Sequence, residues 1–323
     1  MNRSITLELV RVTEAAALAA STQVGRGNED EADRAAVDSM RHMLNELDIN
    51  GTVVIGEGER DEAPMLYIGE QVGTQIGTHA GPKVDIALDP LEGTSITAKG
   101  GQNAMAVLAM ADQGSFLNAP DVYMKKLAVG PNIVLDPEDI DASAAHILQK
   151  VARAKGGRVE DLMVCILDRE RHADLIADVR TTGARITLIQ DGDVSAVISA
   201  SDPLSAIDVY MGTGGAPEGV LAAAALQCIG GSMLGRLVFR NDDERARADK
   251  VGIRDLRRIY TTDELAKPQN VIFAATGVTD GTMLPGVRRF PGGAITHSLV
   301  MRSRTGTVRR IEAHHNLTKK NMI

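Results

Sequence analysis

The sequence contains no tryptophan, and aromatic residues make up only 2% of it. A surface that binds single-stranded nucleic acid by stacking bases on rings is therefore not expected. Basic charge is also short. Lys and Arg total 35 against 43 Asp and Glu, a formal net charge of −8. A general nucleic-acid binder needs a basic face to neutralise phosphates, and this composition argues against one. The two cysteines, Cys165 and Cys228, form no CxxC and no Cys/His cluster. A disulfide framework and a thiolate zinc site are thus not expected, and a reducing cytoplasm is the expected compartment. No run approaches the ~20 apolar residues of a membrane-spanning helix. Nor is a signal peptide expected, because Glu8, Arg11 and Glu14 interrupt the apolar N-terminal stretch. No P-loop is present. Gly212-Thr213-Gly214-Gly215-Ala216-Pro217 is not a dinucleotide fingerprint, since Pro217 stands where its last glycine belongs.

What is present is an ordinary globular balance of 44% hydrophobic and 24% charged residues. The 323 residues suggest two domains, and Gly156-Gly157 marks a soft boundary, giving 1–157 and 158–323. Apolar spacing predicts helices over about 4–24, 29–48 and 143–155. Short apolar runs predict strands over 52–55, 84–88 and 104–111. From 163 to 229 strands and helices alternate, which predicts βαβ units and a largely parallel sheet. Strands over 233–239 and 271–276 follow, and 294–313 reads as a closing hairpin. Asp242 to Lys250 reads as a solvated connection or helix. The expected class is α/β.

Acids gather at three strand ends. Glu57, Glu59 and Asp61 follow the first strand, Asp89 and Glu92 the second, and Glu218 the glycine-rich run. Read singly, each could cap a helix or end a turn. Together, carboxylates converging beyond strand ends would repel one another. A hard divalent cation resolves that repulsion, and oxygen-only ligation favours Mg²⁺ or Mn²⁺ over zinc. Asp89-Pro90-Leu91-Glu92-Gly93-Thr94 is the sharpest local signal. Its acids could share metals, and the Thr94 hydroxyl could orient an activated water. Pro90 is expected to fix a turn and Gly93 to allow close backbone approach. The glycines of 212–215 are expected to leave room for a ligand.

These stretches, with Val54 to Glu59, Asp61 to Gly69, Asn118 to Asp121, Tyr123-Met124, Asp191 to Asp193 and Gly214 to Gly219, make the chain resemble the class II bacterial fructose-1,6-bisphosphatases. That family includes the cyanobacterial type that also hydrolyses sedoheptulose 1,7-bisphosphate. The resemblance runs nearly end to end. It implies a layered α/β sandwich of two sub-domains, as in the lithium-sensitive, metal-dependent phosphatase superfamily, in a homodimer or homotetramer. It implies metal ligands at Asp33, Glu57, Asp89, Glu92 and Glu218, and water-polarising groups at Asp61 and Thr94. It implies sugar-bisphosphate contacts at Glu92, Gly93, Thr94, Tyr123, Arg169, Glu170, Arg171, Asp191, Gly192, Asp193 and Gly215. The guanidinium forks of Arg169 and Arg171 suit a distal phosphate. The implied partner is a sugar bisphosphate, with no nucleic acid and no membrane, in gluconeogenesis or carbon fixation.

Two departures stand out. Where the family usually has Asp-Lys after Gly-Arg-Gly, this chain has Asn28-Glu29, and Glu170 stands where Pro is usual. Glu29 reverses the local charge beside the expected metal site. It could weaken catalysis, leaving a sugar-phosphate-binding regulatory protein, add a metal ligand, or point to solvent. Sedoheptulose 1,7-bisphosphate is the alternative substrate within the enzyme class.

Overall fold

The computed structural model describes residues 4–58, 65–78 and 80–319. The chain forms two units, Met1–Phe116 with Pro268–Ile323, and Leu117–Lys267. The boundary expected at Gly157 falls inside the second unit. Gly156 is there the left-handed C-cap (φ 66°) of a helix. A glycine pair marks a helix end whether or not a new unit follows, which is why it misleads.

The first unit opens with helices α1 (Ile5–Ala20) and α2 (Glu29–Asn45). Strands β1 (Asn50–Ile55), β2 (Gln71–Val72) and β3 (Lys83–Glu92) follow, then the short helix α3 (Thr94–Lys99) and β4 (Met105–Asp112). In the second unit come β5 (Tyr123–Val129), α4 (Ala144–Lys155), β6 (Met163–Leu167), α5 (Ala173–Thr181) and β7 (Arg185–Ile189). It continues with α6 (Asp193–Ser199), β8 (Val209–Gly215), α7 (Ala216–Ile229), β9 (Ser232–Val238), α8 (Asp242–Lys250), β10 (Ile259–Thr261) and α9 (Thr262–Leu265). The chain then returns to the first unit with β11 (Ile272–Gly277), β12 (Arg288–Phe290), β13 (Gly293–Arg302) and β14 (Thr307–Asn316).

The result is mixed α/β with two sheets among the described residues; the strands of 163–229 pair in parallel as expected, but the sheet that holds them is mixed. In the first unit the order is β12-β13-β11-β4-β3-β1-β2, with β14 also on β13, and only β1 and β3 pair in parallel. In the second it is β10-β9-β5-β8-β6-β7, parallel only where β6 meets β7 and β8. The βαβ spacing is real. What the alternation hides is β5, which inserts antiparallel between β8 and β9. Its sequence Tyr-Met-Lys-Lys-Leu-Ala-Val carries two lysines in mid-strand and so lacks an apolar signature. The pleat separates them. Lys125 is half-exposed and bonds Asp141, whereas the Lys126 side chain is fully buried against Asp193.

Each sheet is covered by helices whose apolar stripes the sequence displays. Leu9 of α1 and Met40 and Leu44 of α2 pack with Val53, Ile86, Leu108 and Ile272 of the first sheet. In the second, Ile147, Leu148 and Val151 of α4 and Ile176 of α5 pack with Leu127, Ile166 and Val209.

Three local devices set the strand ends. The strand through Asp89 does not stop in a turn at Pro90. It runs on to Glu92, with a register shift against β4 between Asp89 and Glu92. Proline lacks the ladder donor, and a bulge accommodates it. Gly93 then takes φ 95° as the N-cap of α3. The loop joining α1 to α2 is fastened to α3. Gly25 N–H donates to Thr97 O at 2.9 Å and Gly27 N–H to Ala98 O at 2.9 Å. Finally, Asn28 caps α2, its side chain accepting from Glu31 N–H at 3.1 Å. Asparagine and aspartate cap about equally well, so this departure leaves the helix start intact.

The buried Lys126–Asp193 pair gives the first prediction. Lys126→Met strands a buried carboxylate and should cost about 3–5 kcal/mol of stability in denaturant unfolding. Adding Asp193→Asn should recover most of that loss. Equal loss in both variants would show that the pair is not what couples β5 to α6.

Candidate active site

The first unit gathers acids on the ends of β1 and β3 and the first turn of α2. Glu57, just past β1, is half-buried and pushed up to about 8, first by burial and then by the negative charge of Asp33. Asp33 is itself raised, by burial first and by Asp30 second. The Asp33 charge thus adds to burial in disfavouring the ionisation of Glu57. Asp89 and Glu92 flank the bulge of β3, and Glu92 is buried at 4% exposure. The Asp89 carboxylate accepts the Leu91 N–H at 3.0 Å and so stiffens the bulge. A structural acid of the same strand behaves differently. Buried Asp85 accepts from the N–H groups of Gly114, Ser115 and Phe116 at 2.8, 3.0 and 3.4 Å, which satisfies its charge locally.

Thr94 opens α3 directly after Gly93. Its neighbour Ser95 donates to Glu29 Oε2 at 2.7 Å. Of the outcomes open for Glu29, then, free projection into solvent is not the one found. It links the start of α2 to the start of α3 beside Thr94. Asp61, with Glu59 and Glu62, lies outside the described residues. Among the described residues no three His, Cys, Asp or Glu side chains stand close enough together to hold a metal ion. The fit of a cation rests instead on the chemistry of the donors. They are all hard oxygens, and burial, with the Asp33 charge second, raises the proton affinity of Glu57, which a divalent cation would offset.

The second unit holds a cavity of about 320 Å³ at the ends of β5, β6 and β8. Tyr123, Arg169, Arg171, Asp191, Asp193, Gly215 and Glu218 of the expected set line it. Glu170 and Gly192 do not. Glu170 is exposed in a 3₁₀ turn, and Gly192 is the left-handed N-cap of α6 (φ 88°). Arg171 is fixed by Nε and Nη2, which donate to Thr213 O at 3.1 and 2.7 Å. The N–H of the same Thr213 donates to His172 Nε2 at 2.8 Å, while His172 Nδ1 meets Leu167 O at 2.8 Å. His172 therefore serves as a neutral clamp that holds the β6 end to β8 and places Arg171. Burial lowers its pKa, and the Leu167 bond offsets part of this.

The glycine-rich run makes room for side chains, and Gly214 and Gly215 also line the cavity. A Cβ on Gly215 would collide with the Glu218 carboxylate, and one on Gly214 with that of Asp193. A Cβ on Gly219 would meet Met124 Sδ at 2.6 Å. Asp193 Oδ2 is engaged by Lys126 Nζ at 2.5 Å and by the Tyr210 hydroxyl at 3.4 Å, so half of that carboxylate is structural. Glu218 Oε2 is shielded from solvent and has no hydrogen-bond partner among the described residues. Its pKa is raised by burial and by Asp193, with Lys126 offsetting part of the rise. Asp191 is likewise raised, chiefly by burial. Sequence reasoning missed Lys126 and Arg240 here. The first is visible only as a lysine in an apolar strand, and the second needs the β5–β9 pairing that brings it beside Tyr123.

A pH dependence follows from Glu57. With its pKa held near 8 against an ordinary 4.5, the folded chain binds more protons than the unfolded chain across that window. Stability of the metal-free protein should therefore fall as pH rises from about 5 to 8. Thermal unfolding should show the fall, and Glu57→Gln should flatten it. An unchanged slope in the variant would contradict the assignment.

The family model for bacterial fructose-1,6-bisphosphatase, glpX-encoded, matches residues 3–315. The chain is 46% identical over 333 residues to fructose-1,6-bisphosphatase 1 class 2 of Escherichia coli strain K12, covering 99% of this chain and 97% of that protein. It is equally similar, at 46% over the same spans, to fructose-1,6-bisphosphatase class 2 of Shigella flexneri. A family match over nearly all of the chain and relatives aligned almost end to end establish that the chain belongs to the bacterial, glpX-encoded fructose-1,6-bisphosphatase family.

Proposed function

We propose that this protein hydrolyses the 1-phosphate of fructose 1,6-bisphosphate, giving fructose 6-phosphate and phosphate. The observation that carries the reading is the family match over residues 3–315, in a chain 46% identical to named fructose-1,6-bisphosphatases, and the acids Asp33 and Glu57 with raised pKa values support it. Asp33, Glu57, Asp89, Glu92 and Glu218 would hold Mg²⁺ or Mn²⁺. When bound, such an ion neutralises phosphoryl oxygens and eases deprotonation of water. The remaining work falls to the chain's own side chains. The Thr94 hydroxyl and the Asp61 carboxylate orient the water for in-line attack. Glu92 and the Gly93 backbone fix the reacting phosphate's approach, and Asp191 and Asp193 meet the sugar hydroxyls. Tyr123, Arg169 and Arg171 hold the distal phosphate, so positioning and electrostatics supply most of the rate.

Among the described residues no helix is long and apolar enough to cross a membrane. The reading includes a cytoplasmic location and a homo-oligomer, dimer or tetramer, which sedimentation would test.

The activity test is phosphate release by purified protein with Mn²⁺, with Mg²⁺ and after chelation. Release from fructose 1,6-bisphosphate, lost on chelation, is expected, with sedoheptulose 1,7-bisphosphate and inositol 1-phosphate run beside it. Thr94→Ala should lower kcat by roughly 10²–10⁴-fold while leaving thermal unfolding unchanged. Near-normal turnover in that variant would remove Thr94 from the mechanism. A folded protein that binds the sugar but releases no phosphate with any metal would overturn the enzymatic reading.

A further inference from the structure

Arg240 stands two residues past the end of β9, and β9 pairs with β5 so that Val238 faces Tyr123. Its guanidinium carbon lies 4.6 Å from the centre of the Tyr123 ring, and that of Arg171 lies 4.8 Å from the same centre. Both arginines line the cavity that also holds Arg169. They are tethered alike. Arg171 spends Nε and Nη2 on Thr213 O. Arg240 directs Nε and Nη2 to Glu244 Oε1, each at 2.5 Å. In both, Nη1 has no partner among the described residues.

Glu244 is what makes the placement deliberate. It is 1% exposed, although it sits in the charge-rich helix α8 that reads as a solvated connection. Its Oε2 accepts the Arg240 N–H at 2.6 Å, and its own N–H donates to Asn241 Oδ1 at 2.9 Å. A buried acid that grips one edge of an otherwise exposed guanidinium fixes the direction of the other edge. The forked donors suit phosphate oxygens, and the Tyr123 ring orders both cations. Asp121, Asp191, Asp193 and Glu218 also line the cavity.

We propose that Arg240, buttressed by Glu244, is a further phosphate-binding residue that, with Arg171 and Tyr123, grips the phosphate remaining on the product and so selects bisphosphates over monophosphates. This rests on the sugar-bisphosphatase reading above.

The test compares fructose 1,6-bisphosphate with fructose 1-phosphate, which lacks the distal phosphate. In Arg240→Gln the ratio of kcat/KM values for the two should fall by about tenfold or more, through KM of the bisphosphate, as expected for loss of one charge-assisted phosphate contact. Arg240→Lys should restore part of the ratio, and Glu244→Gln should lower it less than Arg240→Gln does. A merely structural role would lower both substrates alike and leave the ratio unchanged, which overturns the proposal. Arg240→Gln leaves Glu244 buried without its cation, so the double variant Arg240→Gln/Glu244→Gln is measured as well and must show the same fall in ratio. If the wild-type protein releases phosphate from neither sugar, the enzymatic reading fails by itself. Calorimetry with fructose 6-phosphate then decides the Arg240 proposal: about tenfold weaker binding by Arg240→Gln supports it, and equal binding overturns it.

Discussion

Carboxylates set beside one another away from water cannot all remain charged unless a cation joins them. That constraint organises the first unit. Burial raises the proton affinity of Asp33 on α2 and of Glu57 after β1, and the Asp33 charge adds to that of Glu57, whereas Asp85, also an acid on the first sheet, is satisfied by three backbone donors. Asp85 completes the fold, whereas Asp33 and Glu57 are acids proposed above to hold a cation. Keeping such a pair costs stability in the metal-free chain, and a divalent ion bound there would return it.

The fold holds those acids by backbone devices more than by side-chain packing. The bulge of β3 lets Asp89 and Glu92 flank a proline, and the Asp89 side chain stiffens it through Leu91. The glycine loop before α2 hangs on two carbonyls of α3. Glu29, the residue that departs most from the family's pattern, extends the same fastening through Ser95. In the second unit, buried polar groups play the corresponding part: Lys126 for Asp193, His172 for Thr213 and Glu244 for Arg240. Asp193 and Arg240 line the cavity themselves, and Thr213 holds Arg171, which lines it.

Much of this was legible beforehand for physical reasons. The apolar stripes of α1 and α2 and the strands β6 and β7 follow from periodicity and from short β-branched runs, and they fall where the sequence predicts. The acids at strand ends stand out because acids seldom cluster between glycines and buried runs. What stayed hidden depends on partners distant in sequence. Lys126 looks solvated until Asp193 is placed against it, and the strand that contains it was missed for that reason. Glu244 looks like one of many charges on α8 until its burial is seen. Pro90 reads as a turn because the pairing with β4 that turns it into a bulge is not written locally. The Gly214-Gly215 pair reads as a ligand cradle and does line the cavity, but the sequence does not show that it also makes room for the Asp193 and Glu218 carboxylates. Asp61 belongs to the stretch outside the described residues, so its role rests on the family resemblance.

The central claim is that the acid cluster exists to bind a divalent cation. Calorimetric titration of the metal-free protein with Mn²⁺ at pH 7, repeated in buffers of different ionisation enthalpy, tests it most directly. Since Glu57 titrates near 8, it is mostly protonated at that pH and must lose its proton when metal binds. The account predicts binding accompanied by proton release, with both weakened in Glu57→Gln. Binding without proton release, or binding untouched by that substitution, would contradict it.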